Sequence, residues 1–152
     1  MRVIKSFLTT AIAAVSFCVP AFAGDYDVSP IGEKGAYIGC MATNAVAGVM
    51  FVAVQNNLSV MLSSKDFKVA KGDAVKGSWS VDGSKERALG AKADGDGTVS
   101  VDLEANKENI ELFSNGNELS GTVGKDTMLF DLAGTKVALS DLGECMNGIA
   151  KK

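Results

Sequence analysis

The chain has 152 residues, 15 lysines and arginines against 18 aspartates and glutamates, a net charge of −3, three cysteines and no histidine. Without histidine there is no Ser-His-Asp triad, no imidazole metal ligand and no ordinary proton shuttle near neutral pH. The acidic balance argues against nucleic acid and against an anionic membrane surface, since both select basic patches.

Arg2 and Lys5 precede an apolar segment, residues 7–19, that is too short to anchor the chain across a bilayer. Ala21-Phe22-Ala23 then has the small-residue pattern of a cleavage site. Residues 1–23 are therefore expected to be a signal peptide, cleaved after Ala23, with the mature chain periplasmic or secreted. An uncleaved N-terminal anchor is the alternative. Val15-Ser16-Phe17-Cys18 approaches a lipid-attachment box, but the residue before the cysteine should be small and Phe17 is large; lipidation there would change the anchoring. Removing 23 residues from 152 leaves 129, enough for one domain with a core. Removing Arg2 and Lys5 leaves 13 basic against 18 acidic residues, a net charge of −5.

Cys40 and Cys145 remain in that mature chain. In an exported protein two such cysteines are expected to pair as a disulfide. They lie 105 residues apart, and closing a loop of that size is worth up to about 4–5 kcal/mol of chain entropy. A thiol nucleophile or a metal pair is the competing reading, but neither cysteine has C-x-x-C spacing or a histidine to work with.

In chain order, residues 24–35 are polar, include Pro30, and are expected to form a flexible lead-in to a single β-rich domain at residues 36–150. Tyr37 and Ile38 open its first ordered segment. Residues 45–54, AVAGVMFVAV, are continuously apolar and rich in valine, which predicts a buried strand. Asn56-Asn57 tolerates positive φ, and Leu58, Val60 and Leu62 resume alternation, so a hairpin is expected. A short strand is expected around Phe67 and Val69, with a turn at Lys71-Gly72-Asp73. Val75, Gly77, Trp79 and Val81 share a strand face, which makes Trp79 a core residue; a binding platform formed by Trp79 with Phe67 is the competing reading. Asp82-Gly83 is a tight-turn signal. Residues 88–93 are expected as a polar edge strand guarded by Arg87 and Lys92. Asp94-Gly95-Asp96-Gly97 is a second turn, and Val99, Val101 and Leu103 alternate after it.

Residues 106–114 change period. Asn106 is placed to cap a short helix through Ile110, Leu112 and Phe113, with Gly116 placed to stop it. A short strand follows at residues 119–123. Met128, Phe130 and Leu132 then share one strand face. Gly134 frees the backbone to turn, and Thr135 is placed to cap a helix through its hydroxyl. Ala138, Leu139, Leu142, Cys145, Met146 and Ile149 form one apolar helical stripe. Gly143 weakens that helix by about 1 kcal/mol relative to alanine. Lys151 and Lys152 suit the negative end of the helix dipole. The pattern predicts a mainly β fold: an antiparallel β-sandwich or barrel-like domain with one short helix and a C-terminal amphipathic helix.

Catalytic signatures do not follow. G-x-S-x-G and S-x-x-K nucleophile motifs are absent from the chain. Gly116-x4-Gly121 is half a phosphate loop, but Thr122-Val123 stands where Lys-Ser/Thr is required. Asp94 and Asp96 are the candidate pair for calcium. With Gly97 as the central glycine of an EF-hand loop, however, Lys92 and Leu103 would occupy the first and last ligand positions, so a hairpin turn is the expected state. Carboxylate pairs suited to glycoside hydrolysis occur in turns and on solvated faces. No catalytic residue and no cofactor are therefore expected.

The pattern Phe130-x-Leu132-x-Gly134-Thr135-x-x-Ala138-Leu139-x-x-Leu142-x-x-Cys145 resembles the C-terminal signature of small exported alphaproteobacterial proteins, some of them similar to the invasion-associated locus B family. Val81-Asp82-Gly83 and the capped segment before Gly116 extend the resemblance. The chain lacks the additional cysteine pair and the N-terminal tryptophan motif of that family. The resemblance implies a β-rich periplasmic or surface domain without catalysis and, in some relatives, contact with host cells. The expected function is thus a non-enzymatic interaction protein of the bacterial envelope, its partner a protein or envelope component, with no nucleic acid and no stable membrane span. The alternative is an inhibitor of an exported hydrolase such as a lysozyme or protease, for which the Asp94–Thr98 loop is the candidate contact.

Overall fold

The computed structural model describes residues 25–33 and 36–150. The expected signal peptide with Cys18, and Lys151 and Lys152, lie outside the described residues. Nine strands and two helices occur among them: β1 (Asp27–Glu33), β2 (Ala36–Asn44), β3 (Val49–Val54), β4 (Asn57–Ser63), β5 (Gly77–Val81), β6 (Arg87–Ala88), β7 (Thr98–Glu104), α1 (Lys107–Ser114), β8 (Glu118–Val123), β9 (Asp126–Asp131) and α2 (Thr135–Ala150). They build two separate antiparallel sheets, one ordered β1-β2-β3-β4-β7 and one ordered β6-β5-β8-β9. The arrangement is an open sandwich, and neither sheet closes on itself. No helix of the described residues is long and apolar enough to cross a membrane.

Alternation gives the five-stranded sheet one core face. Across it run the rows Cys40, Ala53, Leu58, Leu103; Ala42, Phe51, Val60, Val101; and Asn44, Val49, Leu62, Val99. Cys40, Ala42, Phe51, Val60, Leu62 and Val99 are fully buried. α2 lies over β1 and β2, burying Ala138, Leu139 and Leu142, with Cys145, Met146 and Ile149 at the margin of the core. Cys145 is disulfide-bonded to Cys40, their Cα atoms 6.2 Å apart. The second sheet joins the same core through aromatic contacts. Trp79 of β5 stacks on Phe113 of α1 at 5.6 Å, and Phe113 meets Phe51 of β3 edge-on at 5.5 Å.

Several elements differ from the expectation. The lead-in at residues 24–35 contains an ordered strand, β1, paired along its length with β2. Its polar composition and Pro30 hide it, but an edge strand tolerates a residue without an N–H. The apolar run begins its strand only at Val49. Residues 45–48 form a turn, because the Asn44 side-chain carbonyl accepts the N–H groups of Val46 and Ala47 at 3.1 and 3.0 Å and Gly48 takes φ +71°. In the β3–β4 hairpin the positive φ falls on Gln55, one residue before Asn56. Residues 66–71 form no strand; Phe67 is instead a buried loop anchor. The edge strand expected at residues 88–93 shrinks to β6 and an isolated bridge between Ala74 and Lys92.

Two cap assignments change as well. Asn106 does cap α1, accepting the Asn109 N–H at 2.9 Å, but the C-cap is Asn115. Gly116 is needed for space: a Cβ there would lie 2.5 Å from Val81 Cγ1 and 2.9 Å from Leu132 Cδ1. Gly134 turns the chain into α2 at φ +84°. The Thr135 hydroxyl does not cap the helix. It is buried and donates towards the Phe113 and Leu132 carbonyls at 2.7 and 2.8 Å, tying the start of α2 to the end of α1. Asp82 is more than a turn residue, since its carboxylate accepts the backbone N–H groups of Asn117 and Glu118 at 3.1 and 2.9 Å and pins β5 to the start of β8.

Cys145→Ser is expected to lower the unfolding free energy by about 2–4 kcal/mol with little change in secondary-structure content. Equal denaturation midpoints with and without reductant would contradict that account. Gly143 is exposed, and nothing lies within 4 Å of the Cβ that alanine would add. Gly143→Ala should therefore raise stability by about 0.5–1 kcal/mol, read as a higher urea midpoint at unchanged slope.

Candidate interaction face

The same alternation that buries Cys40 and Phe51 sends their neighbours to the other side. On the outer face of the five-stranded sheet run the rows Ser29, Met41, Val52, Ser59, Asp102; Asp27, Thr43, Met50, Met61, Ser100; and Ile31, Gly39, Val54, Asn57, Glu104. Met41, Met50, Val52, Val54 and Met61 make its middle apolar and Ile31 adds to it from the β1 edge, each half-buried. Both helices and the second sheet pack on the inner face, so no helix or strand of the described residues covers this one. A strand apolar at every position, as β3 is, ordinarily has both faces covered.

The rim of the face is acidic. Asp27 stands on β1 at one edge, and Asp102 and Glu104 stand on β7 at the other. Asp102 accepts a hydrogen bond from the Ser59 hydroxyl. No lysine or arginine occupies an outward position in these rows, and none of the three carboxylates forms an ion pair within the described residues. At one end the face deepens into a hollow of about 460 Å³ between the 45–48 and 94–97 turns, lined by Thr43, Met50, Met61, Ser63, Asp94 and Thr98. Val46, at the tip of the first turn, is completely exposed.

Asp94 and Asp96, the candidate calcium pair, border different hollows. Asp94 borders the hollow just described, whereas Asp96 borders a neighbouring one of about 780 Å³ that also carries Lys65, Lys68 and Asp73. The Asp96 Oδ1 accepts the Lys71 N–H at 3.2 Å. Among the described residues no three His, Cys, Asp or Glu side chains gather at one point. The Asp94–Thr98 loop is tied down at both ends: Asp94 N–H donates to the Thr98 carbonyl at 3.0 Å and Gly97 N–H to that of Val69 at 2.8 Å.

Trp79 and Phe67 are both core residues and form no joint platform. Phe67 pairs with Phe130 at 6.1 Å, and the Trp79 ring lies between Phe113 and the Arg87 guanidinium, whose carbon is 5.3 Å from the ring centre. Phe130, Leu132, Leu139 and Leu142 are buried, and Gly134 is the turn between β9 and α2. Among the described residues two buried polar atoms lack hydrogen-bond partners, the Trp79 indole nitrogen and the Tyr26 hydroxyl. Tyr26 packs against Phe51 at 5.9 Å, and its burial, helped by the nearby Asp131 charge, pushes its pKa up to about 12.

The outer-face methionines were not singled out from the sequence. Their signal was the unbroken apolar character of residues 49–54, which marks both faces of a strand as apolar without telling which one is left open. No family model, no curated protein and no solved structure matches the chain.

The orphaned Tyr26 hydroxyl makes a distinctive prediction. The folded state favours its neutral form up to about pH 12, while the unfolded chain ionises near pH 10. Stability held below pH 10 should therefore fall as the pH rises from 10 to 12. Tyr26→Phe should remove that part of the decline and, at pH 8, leave stability unchanged or raise it by up to about 1 kcal/mol. Urea titrations at pH 8 and 11 compare the two proteins.

Proposed function

We propose that this chain is a non-enzymatic exported interaction protein of the bacterial envelope, acting in the periplasm or at the surface by holding a partner on the outer face of its five-stranded sheet. The observation that carries the reading is the apolar patch of Met41, Met50, Val52, Val54 and Met61, which no helix or strand of the described residues covers. Contiguous apolar surface left in water is the usual mark of an interaction site. Methionine suits such a site because its unbranched side chain reshapes to fit a partner. The Cys40–Cys145 disulfide supports an oxidising compartment. The C-terminal motif, through its resemblance to invasion-associated locus B proteins, extends the reading to contact with a host cell.

A second reading, inhibition of an exported hydrolase, draws on the 45–48 turn rather than on the Asp94–Thr98 loop. The Asn44 side chain braces that turn from within and leaves Val46 completely exposed at its tip. A pre-ordered loop loses little entropy on entering a cleft.

Both readings are separated by capture from envelope and host-cell extracts with the intact protein, Met50→Glu and Val46→Asp, read by mass spectrometry. A surface or envelope protein retained by the intact protein and lost by Met50→Glu is the expected result. A hydrolase retained by Met50→Glu, lost by Val46→Asp and inhibited in solution by the intact protein would establish the second reading instead. Identical recoveries by all three proteins would contradict both.

A further inference from the structure

We propose that the segment held on the outer face is a single amphipathic helix of a partner protein, apolar along one side and flanked by lysine or arginine. This rests on the interaction reading above and adds the chemistry of the partner. The width of the face sets the first limit. Five strands span four intervals of about 4.8 Å, so the acidic edges β1 and β7 stand about 19 Å apart. A helix with its side chains is about 10–12 Å across, which fills the apolar middle over β2, β3 and β4 and leaves both edges free. Six residues of β3 run for about 20 Å, matching about 13 residues of helix at 1.5 Å each. Methionine-lined surfaces suit such a partner, since their side chains accommodate different apolar ridges.

Charge selects the flanks. Asp27 on one edge and Asp102 and Glu104 on the other bracket the patch, with no outward cation in the paired rows between them. Lysine or arginine on the shoulders of the helix would lay its methylenes on the apolar floor and reach the carboxylates with its charged end. The same carboxylates disfavour the other occupants. A second copy stacked on this face brings the identical acidic set with no cation to neutralise it. An anionic lipid surface meets the same repulsion.

The test uses the exported protein, disulfide intact, labelled with ¹³C at its methionine methyl groups. The probe is a 14-residue helical peptide of leucine and lysine, and the control is the same pattern of leucine and glutamine. The Met41, Met50 and Met61 methyl signals should shift saturably with the lysine peptide, while those of Met128 and Met146, which pack against the core, stay in place. Asp102→Asn combined with Glu104→Gln should weaken binding about three- to tenfold, the range expected for two rim charges, and flatten its salt dependence. Met50→Glu should remove the shifts. Equal affinity for the lysine and glutamine peptides would overturn the charge selection while leaving an interaction face. Shifts produced by phosphatidylglycerol vesicles in place of the peptide, or by raising the protein concentration alone, would overturn the helix in favour of a membrane or a second copy. Methyl signals silent to every probe, together with Met50-dependent capture from extracts, would overturn this proposal alone; silence in both experiments would overturn the interaction reading with it.

Discussion

The docking of α2 on β1 and β2, locked by the bond between Cys40 and Cys145, is the constraint on which the remaining arrangement depends. A β-strand offers its side chains alternately to two sides. Once Cys40 is committed to the helix, Ala42 is committed with it, and Met41 and Thr43 must face the other way. Register carries that decision across β3, β4 and β7, so one covalent link orders a whole face. A slip by one residue would turn methionines inward and cysteine outward. The link therefore specifies the sidedness of the sheet as much as its stability.

Much of the fold was legible in the residues, because most strands alternate on one side only. Val99, Val101 and Leu103 give β7; Met128 and Phe130 give β9; the three- and four-residue spacing from Ala138 to Ile149 gives α2. What escaped was structure made by partners distant in sequence. β1 is a strand because β2 offers it a ladder of carbonyl and N–H groups, and nothing in a polar stretch containing proline announces that. Residues 45–48 read as strand by composition, yet the local bonds from the Asn44 side chain overrule propensity there. Thr135 looked like a cap because of its type and position, but the Phe113 carbonyl, supplied by another helix, redirects its hydroxyl.

The candidate face was half legible for the same reason. Composition marks β3 as apolar on both sides, but only the placement of α2 and of the second sheet decides which side is covered. The acidic rim is less visible still. Asp27 and Asp102 are 75 residues apart in the chain and become opposite banks of one surface only after five strands are laid side by side. The carboxylates that do stand close in sequence, Asp94 and Asp96, are parted by their turn and open onto different hollows.

The distance in sequence between the two halves of the disulfide also sets an order of events. A chain grows from its N-terminus, so β1 and β2 exist long before α2, which follows every other element of the described residues. Until α2 emerges, the core face of those strands lacks the helix that covers it and Cys40 cannot form its bond to Cys145. The late arrival of α2 makes closure of this domain a long-range step, of the kind that topology makes slow. During that interval the inner side of β1 and β2 exposes apolar surface, the condition under which nascent chains are most exposed to wrong contacts. The helix that confers sidedness on the finished protein is thus also what ends its most vulnerable period.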